Sequence, residues 1–321
     1  MALPIGPTVG VLADNLRRRG SVLPVPAGAV TRWAGGLGLP AGGETVLYTG
    51  SMYQLIPYIA AMGRAQERLA ESWMARFAGL GRAANRIVNV SAFMARPTSA
   101  ARAQYERTLA NIARLLGDAG IEFGYLYEAE LYSGALAYDL GLDEVLQAHA
   151  RKVYDTLKSH GVRRLITVDP HTTNMLRSVY PKLIPGYDLE VESYLEVLAK
   201  ADRGSVTAGG LEVVVHDSCV YARYEKVVEE PRRLLRAAGF RVAEPDFAGK
   251  LTWCCGGPVE SLYPRKALEG ASRRLGQLAA VSHRIVTMCP ICLVNLRRVA
   301  PAGVQVNDIS DYLAGAAGRG E

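Results

Sequence analysis

"RRLITVDPHTTNMLRSV", residues 163–179, and "HRIVTMCPICLVNLRRV", residues 283–299, follow one plan. Each opens on basic residues and runs into a short apolar stretch, Leu165-Ile166 in one and Ile285-Val286 in the other. Each then breaks at a proline and continues with apolar residues at helical spacing. Asp169-Pro170 falls on Cys289-Pro290, Thr172 on Cys292 and Leu176 on Leu296. A short apolar strand followed directly by a helix, twice in one chain, is the signature of a parallel sheet.

Two further matches extend the repeat. "LYSGALAYDLG" from Leu131 matches "WCCGGPVESLY" from Trp253, so Tyr132-Ser133-Gly134 falls on Cys254-Cys255-Gly256. "TVLYTGSMYQ" from Thr45 matches "VVVHDSCVYA" from Val213, so Ser51 falls on Cys219. The chain reads as a duplicated α/β unit with parallel sheets flanked by helices. Residues 1–45 form an irregular, Gly- and Pro-rich arm with a short helix near Val11 to Arg18. Residues 46–200 are a copy without cysteines, and residues 201–321 are the copy that carries them. The first copy also holds a long, helical insertion between Ser51 and Tyr132.

Strands are expected at Val46–Tyr48, Glu122–Leu126, Arg164–Val168, Leu211–Val215, Arg241–Ala243 and Arg284–Thr287. Helices are expected over Ser99–Leu116, Asp143–His160, Tyr221–Ala238 and Pro264–Ala279.

Composition limits the function classes. Of 321 residues, 49% are hydrophobic and 21% charged, as in folded globular proteins. No apolar run reaches the ~18 residues of a membrane span, and the N-terminus lacks a signal-peptide pattern. A cytoplasmic protein is therefore expected. The net charge of +6 is scattered in pairs and triplets: Arg17-Arg18-Arg19, Arg163-Arg164, Arg232-Arg233, Arg273-Arg274 and Arg297-Arg298. These read as solvated helix faces. No nucleic-acid motif or interleaved aromatics accompany them, so nucleic acid is not expected as a partner. The basic balance allows peripheral attachment at the inner face of a membrane. Trp33, Trp73 and Trp253 read as core or interface, with Trp253 shielding its neighbour Cys254.

The five cysteines carry the chemistry. They read C-x34-C-C-x33-C-x2-C: Cys219, Cys254, Cys255, Cys289 and Cys292. An odd count confined to one copy argues against a disulfide scaffold. Cys219 follows a strand, with Asp217 and Ser218 placed to cap what comes next. Cys289 precedes Pro290, which suits a first helical turn. A helix N-terminus favours a thiolate there. Adjacent Cys254 and Cys255 can share one site only in a loop, and Gly256, Gly257 and Pro258 supply it. Three loops at the C-terminal ends of parallel strands would then converge, where open α/β sheets bind their ligands. Five soft thiolates suit iron–sulfur chemistry. Zinc normally takes four ligands in paired knuckles; a Cys289/Cys292 thiol-exchange site or buried apolar cysteines are further readings.

These motifs, with "ADNLRRRG", "RWAGGLGLPAGGETVLYTG", "EEPRRLL", "WCCGGPVES" and "TMCPICLVNL", resemble the CCG domain. This is the cysteine-rich domain of heterodisulfide reductase subunits B and D. It also occurs in iron–sulfur subunits of glycolate, lactate and succinate oxidation and of sulfur-metabolising complexes. The resemblance implies one non-cubane [4Fe–4S] cluster on Cys219, Cys254, Cys255, Cys289 and Cys292. It implies an oxidoreductase subunit, active in a complex, that exchanges electrons with a small disulfide or thiol substrate. The alternatives are a dehydrogenase cluster subunit passing electrons to quinone, or a non-catalytic zinc or scaffold subunit. The chain lacks the C-x2-C-x2-C-x3-C run of ferredoxins, so a ferredoxin-like iron–sulfur subunit is the expected electron donor, with a flavoprotein subunit beside it. His216 and His171 are the candidate catalytic proton donors. A vestigial metal site at Asp169 and His171, with Asp217 or His216, is a weaker expectation.

Overall fold

The computed structural model describes residues 5–70, 97–201, 209–257, 260 and 263–317. Among the described residues seven strands make two sheets, all of whose pairings are parallel. The first has the order β1 (Thr45–Tyr48), β2 (Arg164–Thr167), β3 (Glu190–Ser193). The second comprises β4 (Glu212–Val215), β5 (Arg241–Ala243), β6 (Arg284–Thr287) and β7 (Gln305–Asp308), in the order β5-β4-β6-β7. The central strands are short β-branched or aliphatic runs whose last three residues are buried. Side chains buried on both sheet faces account for the unbroken apolar pattern.

The two copies use the same local device. Asp169 and Cys289 are both N-cap residues in extended conformation, each followed by proline at the first helical position. The fixed φ of proline starts the helix, and its missing N–H removes a donor that would be orphaned there anyway. Asp169 accepts from the backbone N–H groups of His171 and Thr172.

The copies share a core. Leu47, Tyr53 and Ile166 of the first copy belong to one buried cluster with Val213, Val214, Ile285 and Leu293 of the second. The Tyr53 hydroxyl donates to Asp308 Oδ2 at 2.6 Å across the junction. The helix Ser99–Asp118, which belongs to the first copy's insertion, packs on the C-terminal helix Ile309–Ala317. Residues 71–96 of that insertion, with Trp73, lie outside the described residues, as does Pro258.

Several expectations need correction. Glu122–Leu126 is not a strand: it makes only isolated bridges, Ala41 with Tyr125 and Val46 with Gly124. Gly124 explains the close approach, since a Cβ there would sit 1.7 Å from the Gly42 carbonyl oxygen. The expected helix Tyr221–Ala238 is two pieces: a wide turn over Tyr221–Glu225, then a helix over Glu229–Ala237. Lys226 at φ +62° breaks it, in a region that costs a side-chain-bearing residue free energy. The arm is more ordered than expected, with a helix over Ile5–Arg19. Strands β3 and β7 were not expected, because "EVES" and "QVND" each carry a single apolar residue. Finally, Arg232 and Arg274 are not on solvated faces: they are 3% and 0% exposed.

Candidate metal centre

Three chain segments bring the cysteines together. Cys219 follows β4, Cys254 and Cys255 lie in the loop between β5 and the helix Pro264–Ala279, and Cys289 and Cys292 open the helix Pro290–Val299. The sulfurs form one continuous chain of contacts. Cys219 meets Cys254, Cys254 meets Cys255, Cys255 meets Cys292, and Cys292 meets Cys289. The Cys255 and Cys292 sulfurs are 3.2 Å apart. All five are free thiols; Cys255, Cys289 and Cys292 are buried, Cys219 is half-buried and Cys254 is exposed.

The backbone at this loop leaves room only for glycine. Gly256 has φ +78°, and a Cβ on it would meet the Ala267 carbonyl oxygen at 2.5 Å. A Cβ on Gly257 would meet Ile291 Cγ2 at 2.2 Å. The Gly256 N–H donates to Cys254 Sγ at 3.3 Å.

A buried ion-pair network holds the first two segments in place. Arg232 forks onto Asp217, with Nη1–Oδ1 at 2.8 Å and Nη2–Oδ2 at 2.9 Å, and also binds Glu244. Asp217 Oδ2 accepts from Gly249 N at 2.6 Å, and its backbone carbonyl accepts from Thr252 Oγ1 at 3.0 Å. The residue two before Cys219 is thereby tied to the residue two before Cys254. A planar guanidinium matching a carboxylate in two parallel bonds is the arrangement that fixes geometry as well as charge.

His216 and His171 approach the sulfurs from opposite sides of the duplication. His216 is fully buried, and a ring nitrogen lies within 4.8 Å of the sulfurs of Cys255 and Cys292. Burial and the neighbouring Arg274 push its pKa down to about 3. Arg274 Nε donates to His216 Nδ1 at 3.2 Å. Guanidinium can only donate, so the ring proton sits on Nε2, which has no hydrogen-bond partner among the described residues. That tautomer cannot give a nitrogen lone pair to a metal through Nε2. It can donate N–H to a thiolate or sulfide.

His171 comes from the first copy and touches Cys289 of the second. Its Nδ1 lies 3.7 Å from Asp139 Oδ2. Burial disfavours its charge, but the Cys289 thiolate and the carboxylates of Asp139 and Asp169 outweigh that and raise its pKa to about 9. Cys289 answers in kind: burial opposes ionisation, yet contacts from Cys292 and His171 hold its thiol well below the ordinary range. No sequence pattern links His171 to Cys289. Pseudo-symmetry does, because the helices that start at Pro170 and Pro290 are repeat equivalents.

The first copy gathers the corresponding positions and fills them. A Cβ on Gly50, next to Ser51, would meet Thr172 Oγ1 at 2.4 Å and Ser133 Cβ at 2.9 Å. The equivalents of Cys219, Cys255 and Cys292 therefore converge, but as close-packed small hydroxyl residues. Sequence reasoning missed two contributors: Arg274, which sets the His216 tautomer, and the Asp217–Arg232–Glu244 network. "EEPRR" at 229–233 reads as surface charge unless the packing is known.

The donor set fits a polynuclear iron–sulfur group. His216, Cys255 and Cys292 alone could surround a single ion, but His216 has the wrong tautomer for it. The five-sulfur chain from Cys219 to Cys289 exceeds the four ligands of a structural zinc site. Converging soft thiolates with a buried N–H donor beside them suit a cluster with inorganic sulfide.

Comparison with known proteins agrees. A family profile for the cysteine-rich domain abbreviated CCG matches residues 97–177 and 213–297, one match in each copy. The chain is 33% identical over 204 residues to a protein named EtfAB:quinone oxidoreductase from Syntrophomonas wolfei, covering 59% of this chain and 28% of that protein. It is 30% identical over 227 residues to a probable membrane-anchored ferredoxin from Chromohalobacter salexigens, covering 66% and 34%. It is 29% identical over 223 residues to the probable iron-sulfur-binding oxidoreductase FadF of Bacillus subtilis, covering 64% and 30%. The matched region spans about a third of the length of these relatives.

Proposed function

The chain belongs to the CCG cysteine-rich domain family of iron–sulfur proteins, and on that premise we propose that it is the redox module of a larger oxidoreductase. One non-cubane [4Fe–4S] cluster is held by Cys219, Cys254, Cys255, Cys289 and Cys292. The observation that carries this reading is the unbroken chain of four contacts linking five sulfurs where three loops meet. When bound, the cluster supplies one-electron chemistry at a potential tuned by its surroundings.

The residues around it have separable tasks. The Asp217–Arg232 pair sets the spacing of the Cys219 and Cys254 segments. Gly256 and Gly257 let the backbone turn within reach of the sulfurs. His216, orientated by Arg274, would donate an Nε2–H hydrogen bond to a sulfur and stabilise negative charge there. Tyr53, Met288 and the Val214–Ile285 core exclude water from the buried side. The first copy is a support: its closed hydroxyl cluster leaves one cluster per chain.

Electrons come from a flavoprotein and pass toward quinone, by analogy with the relative named for EtfAB and quinone. A ferredoxin-like iron–sulfur subunit bridges the two. Attachment at the inner face of a membrane would then come from partner segments: among the described residues no helix is long and apolar enough to cross a membrane. A second reading, heterodisulfide-reductase-like action on a disulfide or thiol, is favoured by the exposure of Cys254. That edge is open to a small molecule, and His171 beside Cys289 would hold the proton a departing thiolate needs.

The test is iron and acid-labile sulfide in anaerobically prepared protein, with EPR of oxidised and reduced samples. About four irons per chain, lost in Cys254→Ser, support the reading. Zinc without sulfide sinks it. Reduction by a reduced electron-transferring flavoprotein, against oxidation by an added disulfide, separates the two substrate classes.

A further inference from the structure

We propose that the face around Cys254 is the docking surface for an acidic electron-carrier protein. The proposal rests on the cluster reading above and names the surface and the kind of partner that reading leaves open.

Cys254 is the exposed member of the five, so electrons have their shortest entry on this side. Among the described residues five large apolar side chains are exposed, and four lie on the segments that frame Cys254. Tyr224 (68% exposed) lies in the turn after Cys219; Phe247 and Leu251 (69%) precede Cys254 in its own loop; Tyr263 leads into the next helix. These segments are joined. Arg223 binds the carbonyls of Lys250 and Thr252. Phe247 packs on Trp253 with ring centroids 5.1 Å apart, and Arg273 lies over the same indole at 5.7 Å. Clustered exposed aromatics and a leucine beside a functional edge mark a contact surface rather than scattered exposure.

Charge selects the partner. Over residues 223–226, 246–254 and 263–273 the exposed cations are Arg223, Lys226, Lys250, Arg265, Lys266 and Arg273. The exposed carboxylates there are Asp246 and Glu269, and Glu269 is already paired with Lys266. An apolar centre inside a basic rim complements an acidic face and steers it in. A second copy of this chain would bring like charges together in a two-fold contact. The mutual stacking of Phe247, Trp253 and Arg273 makes a fixed surface, which fits a folded protein better than a lipid headgroup layer.

The test uses the full chain, anaerobically loaded, with a plant-type [2Fe–2S] ferredoxin as the acidic probe and cytochrome c as the basic control. Binding is measured against ionic strength for wild type, Lys250→Glu/Arg273→Glu and Tyr224→Ala/Leu251→Ala. The expected result is salt-sensitive binding of the ferredoxin alone, weakened about tenfold or more in both variants. Hydrogen exchange on the wild type is expected to show protection over 221–226 and 247–254 when the ferredoxin binds. Binding that ignores both variants and protects another face overturns the proposal. So does binding to phosphatidylserine vesicles, lost in the variants, with no ferredoxin binding, which would assign the face to a membrane. Iron and sulfide assayed in the same samples judge the cluster separately. A chain that docks the ferredoxin here but holds no iron refutes the cluster and leaves the docking face standing.

Discussion

Replacing Arg232 by methionine isolates what the buried ion pair contributes. Arg232 and Asp217 side chains are 4% and 1% exposed, and each makes several bonds the other geometry depends on. Methionine keeps the stem's volume but leaves the Asp217 carboxylate buried with the Gly249 N–H as its remaining charge-stabilising donor. Orphaning one member of a buried pair costs about 3–5 kcal/mol. At about 2 °C per kcal/mol, the low end for a chain longer than 250 residues, the melting temperature should fall about 6–10 °C. Iron content should fall with it, because Asp217 also positions the Cys219 segment against the loop of Cys254. The assay is thermal and urea unfolding of the metal-free chain, with iron and sulfide measured on the loaded one. Asp217→Asn combined with Arg232→Met should recover part of the loss, since the amide oxygen still accepts from Gly249 and no charge is stranded. Arg232→Met within about 1 kcal/mol of wild type, a loss no larger than that of an exposed ion pair, would refute the reasoning. So would a double variant worse than the single one.

Other outcomes follow from individual residues. Gly256→Ala should abolish cluster loading while leaving the first copy folded, because the added Cβ strikes Ala267 backbone and φ is +78°; iron content with near-native circular dichroism reads this. Glu130 is half-buried, bonded to Thr49 near the close-packed hydroxyls of the first copy, and desolvation raises its pKa from 4.5 to about 8. The folded state therefore holds a proton that the unfolded state releases. The associated stability is fully present below about pH 4.5 and is lost as pH rises through about 8. Glu130→Gln should flatten urea stability between about pH 6 and pH 8, and an unchanged slope would remove Glu130 from the account. His216 should give the nitrogen NMR pattern of the Nε2–H tautomer in wild type, and Arg274→Met should shift it toward a mixture with Nδ1–H. A wild-type mixture would contradict the Arg274 contact.

How much was legible in the sequence varied with the range of the physics involved. Strands β1, β2, β4, β5 and β6 and the helices Ser99–Asp118, Asp143–Ser159 and Pro264–Ala279 could be read. Their apolar period is a local property, as are the Asp169-Pro170 and Cys289-Pro290 starts of the helices that follow β2 and β6. β3 and β7 could not, because an edge strand with one apolar residue owes its existence to the neighbour it pairs with. The break at Lys226 was hidden for a similar reason: nothing in "YEKVVEE" requires a left-handed lysine, and the cost is met by packing around Val227.

For the site, the sequence by itself determined the five thiols, their spacing, the glycines beside them and the loss of all five counterparts in the first copy. Those are matters of residue type and of strand–turn–helix chemistry that act over a few positions. Only the tertiary structure decided that the sulfurs form one continuous chain, that Arg232 and Arg274 are internal, and that His171 crosses from the silent copy to Cys289. Each depends on which surfaces face one another when two sheets share a core. A charged residue reads the same in a sequence whether it meets water or a buried carboxylate, and the difference is made by packing.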